Sequence, residues 1–151
     1  MQFEKLDVWK RASRLACNIY KVTKDCKDYG FKDQVTRSAV SIPSNIADKI
    51  VGAYFERACA ASKRWDKWTY RITVERGSTN DESRFLYYAK GSAGELVTQL
   101  YIGIEIGFIE KGHGLKLISE AKEVAAIIAA LIKRRKGFVK EQESNYGTDS
   151  S

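Results

Sequence analysis

The stretch from Glu82 to Gly107 carries the strongest periodic pattern in the sequence. Its apolar residues recur at intervals of three and four, at Phe85, Ala89, Ala93, Leu96, Leu100 and Ile104. This spacing places the apolar side chains on one side of an α-helix and leaves most of the polar residues on the other. Such a helix is stable only when other helices cover its apolar side. The pattern therefore predicts the central helix of a helical bundle.

Two further features of this stretch concern its start and its small residues. Thr79 and Glu82 have the spacing of a capping box, which marks a helix start. Residues 91–94 are Gly-Ser-Ala-Gly, and each glycine costs about 1 kcal/mol of helix propensity relative to alanine. We interpret this patch as a place where a neighbouring helix backbone approaches closely. A phosphate-binding loop is disfavoured because the glycines lie inside a helical pattern and no Gly-Lys-Ser/Thr follows them.

Three more amphipathic segments flank the central helix. The first predicted helix spans residues 6–23, with a polar side formed by Lys10, Arg11, Arg14, Asn18 and Lys21. The second begins near Phe31, after a turn at Gly30 that requires a positive φ. The last spans residues 115–133 and has an alanine-rich apolar side. These segments predict an all-α fold, an antiparallel up-down-up-down four-helix bundle.

Pro43 interrupts the second helical pattern. A proline removes one backbone hydrogen bond and clashes with the preceding turn, so we expect the helix to kink or pause near Ser41 to Ser44. The side chains of Ser41, Ser44 and Asn45 can satisfy the backbone groups that the proline leaves free.

Length and composition predict a single soluble domain. A chain of 151 residues has room for one domain with a substantial core. We assign the bundle to residues 1–139 and expect residues 140–151 to form a disordered tail. No apolar run reaches the roughly eighteen residues that span a bilayer, and the N-terminal segment is charged where a signal peptide is apolar. We therefore expect a cytoplasmic protein with no membrane association.

Enzyme chemistry is poorly supported by the residues present. A carboxylate-bridged di-iron bundle needs two Glu-x-x-His pairs, whereas this chain has one histidine, His113, between glycines. The only methionine is Met1, which disfavours haem ligation through methionine. The cysteines, Cys17, Cys26 and Cys59, are odd in number and have no C-x-x-C spacing, which disfavours disulfides and zinc. We predict a non-enzymatic protein with no catalytic residue, metal site or cofactor.

Three short segments carry a family resemblance. They are residues 6–9 (LDVW), 41–47 (SIPSNIA) and 91–96 (GSAGEL). In this order they resemble the four-helix-bundle proteins encoded in intervening sequences of bacterial 23S ribosomal RNA genes. That family is similar in turn to accessory proteins of diversity-generating retroelements. The resemblance implies a homo-oligomer, with a pentamer favoured, and no known catalytic activity. The retroelement relatives are basic assemblies that associate with a reverse transcriptase and with nucleic acid.

Residues 49–74 look like an insertion relative to that family, and we favour a helix over Ala53 to Trp68 within them. Cations and aromatic rings alternate in this block, at Lys63, Arg64, Trp65, Lys67, Trp68 and Arg71. Cations suit phosphates and rings stack on unpaired bases, so the block is a candidate nucleic-acid interface. The same mixture suits packing or a protein interface, and we rank packing or self-assembly above nucleic acid.

A second basic cluster ends the last predicted helix, at Lys133, Arg134, Arg135 and Lys136. In a monomer these cations complement the negative end of the helix dipole, which is a structural explanation. In a ring, several copies would sum into a polyanion-binding surface. The formal net charge of +7 also attracts polyanions. We therefore predict a non-enzymatic oligomer that binds RNA or DNA, as an accessory to an enzyme such as a reverse transcriptase. The alternative is a scaffold that binds only proteins.

Overall fold

A computed structural model describes the backbone of residues 5–61 and 79–146, and the side chains of residues 5–48 and 84–134. Within these ranges the chain forms helices and connecting turns, with no strand. The helices are α1 (Asp7–Val22), α2 (Tyr29–Ala61), α3 (Thr79–Glu105) and α4 (Lys111–Tyr146). The predicted all-α fold is therefore confirmed, and the central helix lies where the periodicity placed it.

The four helices form a closed ring of neighbours. Each helix packs against the one before it, and α1 also packs against α4. Between α2 and α3, Phe31 lies against Gly103 and Ser41 bonds to Ser92. Phe31 precedes Ser41 in α2, whereas its partner Gly103 follows Ser92 in α3, so these two helices are antiparallel. This packing corresponds to a four-helix bundle.

The core is built from one side of each helix. Its buried apolar residues are Val8, Ala12, Leu15, Ala16, Ile19, Val35, Ala39, Ile42, Ile46, Leu86, Ala89, Ala93, Leu96, Leu100, Ile109, Leu117, Ile118, Ala121, Val124, Ile128 and Ile132. On α3 the predicted apolar side is confirmed from Ala89 to Leu100, but Leu86 is buried while Phe85 is half-buried. Leu86 continues the alternating spacing of three and four towards the helix start, so it faces the same side as Ala89.

The start of α2 corrects the prediction at Gly30. Gly30 is helical and does not have a positive φ. Asp28 begins the helix instead, because its Oδ1 accepts a hydrogen bond of 2.8 Å from the backbone N–H of Phe31. A carboxylate in this position satisfies one of the free N–H groups of the first turn and complements the helix dipole.

Pro43 does not interrupt α2, so the predicted pause is wrong. The helix runs through Pro43. The carbonyl that loses its helical partner is that of Ala39, four residues before the proline, and the neighbouring polar side chains bond to other carbonyls. The hydroxyl of Ser44 donates to the carbonyl of Val40 at 2.9 Å, and Asn45 Nδ2 donates to the carbonyl of Ser41 at 2.8 Å. These bonds occupy carbonyls of the turn that precedes the proline.

The glycines that permit close helix packing are not the predicted ones. A Cβ at Gly103 would lie 2.5 Å from Cζ of Phe31, and one at Gly114 would lie 2.5 Å from Cγ1 of Ile104. At Gly91 and Gly94 a Cβ would meet nothing within 4 Å. The close approach within the bundle is therefore at the α3–α4 turn, and the prediction for residues 91–94 is wrong for both glycines. Of that patch, Ala93 is buried and Ser92 is half-buried.

The last helix is longer than predicted at both ends. Gly107, with φ +80°, makes the turn after α3, and α4 begins at Lys111 instead of Leu115. It continues past Lys133 to Tyr146. Residues 140–146, expected to be part of a disordered tail, are therefore helical, while residues 147–151 lie outside the described residues.

Gly114 is closely packed and Gly94 faces open space, so alanine substitutions at these two positions should change stability in opposite directions. We expect Gly114→Ala to lower the free energy of unfolding by about 1 to 3 kcal/mol, because the added methyl overpacks against Ile104. Gly94→Ala is the matched control and should raise it by up to about 1 kcal/mol, since only helix propensity changes at an open position. Urea unfolding followed by circular dichroism measures both. The reverse order of stabilities would contradict this packing.

Candidate interaction surfaces

The basic cluster of α4 lies within the helix, not at its end. Lys133 and Arg134 are exposed and follow Ile132, a buried core residue. Among the described residues no carboxylate lies within ion-pair distance of either cation. Arg135 and Lys136 continue the same helical backbone, and their side chains lie outside the described residues. Because α4 runs on to Tyr146 and the dipole acts only on the last turn, the helix-end explanation of this cluster is wrong.

The candidate residues of the inserted block are outside the described part of the chain. This applies to Lys63, Arg64, Trp65, Lys67, Trp68 and Arg71. The helix that we favoured over Ala53 to Trp68 is confirmed as far as Ala61, where α2 ends. The structure therefore extends α2 into the block as far as Ala61.

Exposed tyrosine, isoleucine and glycine residues, which the sequence reading did not single out, lie on the side of α3 opposite the core, together with the charged residues Arg84, Glu95 and Glu105. We define the α3 outer face as Tyr87, Tyr88, Gly91, Gly94, Thr98 and Ile102, all of which are exposed. Tyr88 exposes 53% of its surface and Ile102 exposes 49%. Gly91 and Gly94 lie between these larger residues, and a Cβ at either position would meet nothing within 4 Å. Aromatic and aliphatic side chains around small residues form a surface suited to packing against another helix.

A second surface missed by the sequence reading is a line of cations on α1. We define the α1 basic stripe as Lys10, Arg14 and Lys21, all exposed. Their neighbour Arg11 is neutralised, since its guanidinium lies 3.0 Å from Asp7 Oδ2 and 3.2 Å from Glu123 Oε2. The sequence placed these cations on the polar side of the first helix. The i,i+4 spacing of Asp7 and Arg11 indicates their ion pair, whereas the contact of Arg11 with Glu123 is visible only in the tertiary structure.

An open groove of about 380 Å³ lies between α1 and α2. It is lined by Tyr20, Asp33, Thr36, Arg37, Val40, Ser41 and Ser44. Its charges compensate each other, because Arg37 Nη2 lies 3.0 Å from Asp33 Oδ2. The hydroxyl of Ser44 donates to the backbone carbonyl of Val40. The groove therefore offers hydroxyls and one ion pair, and no activated nucleophile.

Within residues 5–48 and 84–134, no group of three His, Cys, Asp or Glu side chains has the geometry to hold a metal ion. Cys17 and Cys26 are free thiols. None of the described helices combines the length and apolarity needed to cross a lipid bilayer.

His113 lies in the first turn of α4 and belongs to a cap. The carboxylate of Glu110 accepts hydrogen bonds of 2.8 Å from the backbone N–H groups of Gly112 and His113. His113 Nδ1 also lies 3.0 Å from Glu110 Oε2. The two backbone bonds are the main reason that the pKa of Glu110 is lowered, and the charge of His113 adds to them.

Comparison with protein families identifies the chain. The model of the 23S rRNA-intervening sequence protein family matches residues 4–50 and 73–130, more than half of the sequence. The chain belongs to this family. Residues 51–72, which the family model leaves unmatched, fall inside the block 49–74 that we interpreted as an insertion. A search of curated proteins finds no match.

A solved structure is similar to this 23S rRNA-intervening sequence protein in fold. It is the crystal structure of a protein of unknown function from the S23 ribosomal protein family of Bacteroides thetaiotaomicron. The TM-score is 0.62 at 18% sequence identity, covering 83% of this chain and 98% of that chain. At this identity the likeness concerns the fold alone, and it agrees with the helical bundle.

The cap at Glu110 predicts a pH effect in this 23S rRNA-intervening sequence protein. We expect NMR titration to give the Glu110 carboxyl a pKa below the ordinary value of about 4.3. Because the folded pKa is lowered, ionised Glu110 stabilises the fold above the ordinary pKa. This contribution is lost as the pH falls through the folded pKa.

His113→Ala is the control for this prediction. It keeps the backbone N–H, so most of the lowered pKa of Glu110 should persist. A return to the ordinary pKa in this variant would show that the imidazole, and not the backbone, holds the carboxylate.

Proposed function

We propose that this chain is a non-enzymatic, homo-oligomeric bundle that binds RNA or DNA through basic surfaces, as an accessory to a nucleic-acid-processing enzyme. The observation that carries the proposal is the exposed, unpaired state of Lys133 and Arg134 within α4. The described structure around these cations gives them no partner, and a net charge of +7 attracts polyanions over the whole surface.

Self-association is the second part of the proposal. The α3 outer face supports it, because an exposed tyrosine and isoleucine strip with two glycines is stabilised when a second copy of the chain covers it. A ring places equivalent surfaces side by side, so the basic cluster of each copy would add to that of its neighbours. We favour a ring of five, in line with the resemblance described above.

The protein partner that we propose is a polymerase such as a reverse transcriptase. The resemblance to accessory proteins of diversity-generating retroelements supports this choice. A ring that gathers nucleic acid near such an enzyme would raise the local substrate concentration without any catalytic residue of its own.

A scaffold that binds only proteins is the alternative function. The α3 outer face favours it as well, because the same strip suits the helix of a different protein. Co-purification of one protein partner that resists both nuclease and high salt, without retention on heparin, would favour this alternative.

Replacing Lys133, Arg134, Arg135 and Lys136 together by glutamine tests nucleic-acid binding. Each lost phosphate contact should reduce the slope of log affinity against log salt by about 0.7 to 0.9. The expected result is a flatter salt dependence and weaker binding of labelled RNA in gel shifts. The control with the same charge change replaces Lys27, Lys90, Lys111 and Lys116. Binding that is unchanged in the first variant would exclude the cluster.

Gly91→Arg tests self-association through the α3 outer face. A long charged side chain at position 91 would lie between Tyr88 and Ile102 and keep a second copy from packing there. Light scattering should therefore report a monomer where the unaltered chain is oligomeric. The helix content should be retained, because position 91 faces open space. Gln34→Arg, on the exposed side of α2, carries the same added charge and should leave the oligomer intact. Equal masses for both variants would contradict this interface.

A further inference from the structure

The α1 basic stripe is a straight line of charge along the outermost side of its helix. Lys10, Arg14 and Lys21 are separated by four and seven residues, close to one and two helical turns. The opposite side of α1 is anchored in the core, with Ala12 and Ile19 both 0% exposed. The line is about 16 Å long, at 1.5 Å of rise per residue. The core therefore fixes the direction and spacing of these cations.

The charges of the stripe are not compensated within the described part of the bundle. The flanking carboxylates have other partners, since Asp7 and Glu123 contact Arg11 and Asp33 contacts Arg37. No carboxylate at residues 5–48 or 84–134 forms an ion pair with the stripe.

Helix electrostatics does not account for the stripe as a whole. Lys21 lies in the last turn of α1, where the dipole favours a cation. Lys10 lies towards the start of the helix, where the dipole opposes one. The helix dipole therefore favours one cation of the three.

The stripe suits phosphates more than bases. Trp9 packs against the core, and no aromatic residue lies between Lys10 and Lys21 on the exposed line, where Cys17 stands. Single strands are bound by cations together with stacked rings, whereas a duplex presents only phosphates along its outside. Each strand winds around the duplex axis, so a straight line of three cations contacts at most about one phosphate per cation.

We propose that the α1 basic stripe is a separate contact for double-stranded nucleic acid, which binds phosphates of one strand regardless of base sequence. This inference rests on the proposed function and names for it a site and a substrate class. The site is distinct from the α4 cluster, since it is formed by a different helix.

Cys17 makes the contact measurable without altering any cation. Its thiol is exposed and lies on the same line, three residues after Arg14 and four before Lys21. A duplex bound along the stripe should shield it from iodoacetamide, an uncharged reagent. Cys26, in the loop after α1, is half-buried and serves as the internal control in the same digest.

The variant that tests the stripe replaces Lys10, Arg14 and Lys21 by glutamine. The probes are a short RNA duplex, a DNA duplex of unrelated sequence and a single-stranded RNA. For both duplexes the salt slope should fall by about 2 to 3, at 0.9 for each lost phosphate contact. The charge-matched control, with Lys90, Lys111 and Lys116 replaced by glutamine, should lower it by less than about 1. The three stripe residues have no described partners, and the effects of the helix dipole on Lys10 and Lys21 oppose each other, so the variant should keep a melting temperature close to that of the unaltered protein.

Each outcome decides between the claims. Two results together support the stripe as a duplex contact. Duplex should slow the alkylation of Cys17 but not of Cys26, and the salt slope should change more in the stripe variant than in its control. If the unaltered protein binds duplex, but the two triple variants have equal salt slopes and the duplex does not shield Cys17, the proposal for the stripe is wrong and the proposed function is unaffected. A stripe variant that loses only single-stranded RNA overturns the assigned substrate class. An unaltered protein that binds no probe at any salt concentration overturns the proposed function as well.

Discussion

The burial of the apolar side of α3 between α2 and α4 is the interaction on which the rest of the structure depends. A single amphipathic helix is only marginally stable in water because it exposes its apolar side. In the bundle, α3 buries that side by packing against α2 and α4. Alanines at 89 and 93 keep that side narrow, and Gly103 and Gly114 let side chains of α2 and the α3–α4 turn fit closely. Since the core needs only one side of each helix, the remaining sides are available for other contacts.

The available sides differ in chemistry, and this difference underlies the functional proposal. The outer face of α3 contains tyrosine, isoleucine and glycine beside Arg84, Glu95 and Glu105, whereas α1 and α4 expose cations that lack described carboxylate partners. Apolar association would remove the first surface from water and leave the second exposed to a polyanion. Membership of the 23S rRNA-intervening sequence protein family agrees with the bundle and does not itself assign an activity.

The predictions made from the sequence failed at two kinds of position, for two physical reasons. Helical periodicity reports the angle between residues, and consecutive residues differ by about 100°, so Gly-Ser-Ala-Gly cannot face a single neighbour. Only Ala93 is buried in that patch, with Ser92 beside it and bonded to Ser41 at 2.9 Å. Likewise Gly30 and Pro43 have strong local preferences that favour a turn or a break. Asp28, Ser44 and Asn45 bond to the backbone around them, and the helix continues through both positions.

By itself the sequence determined the all-α class, the four helices and most core positions, because these follow from apolar spacing and short family-specific segments. Only the tertiary structure decided which surfaces are left for binding. The contact of Arg11 with Glu123, and the lack of a described carboxylate partner for Lys10, Arg14 and Lys21, depend on where α4 lies against α1. That position is set by packing between residues more than a hundred apart in the chain, and no local pattern encodes it.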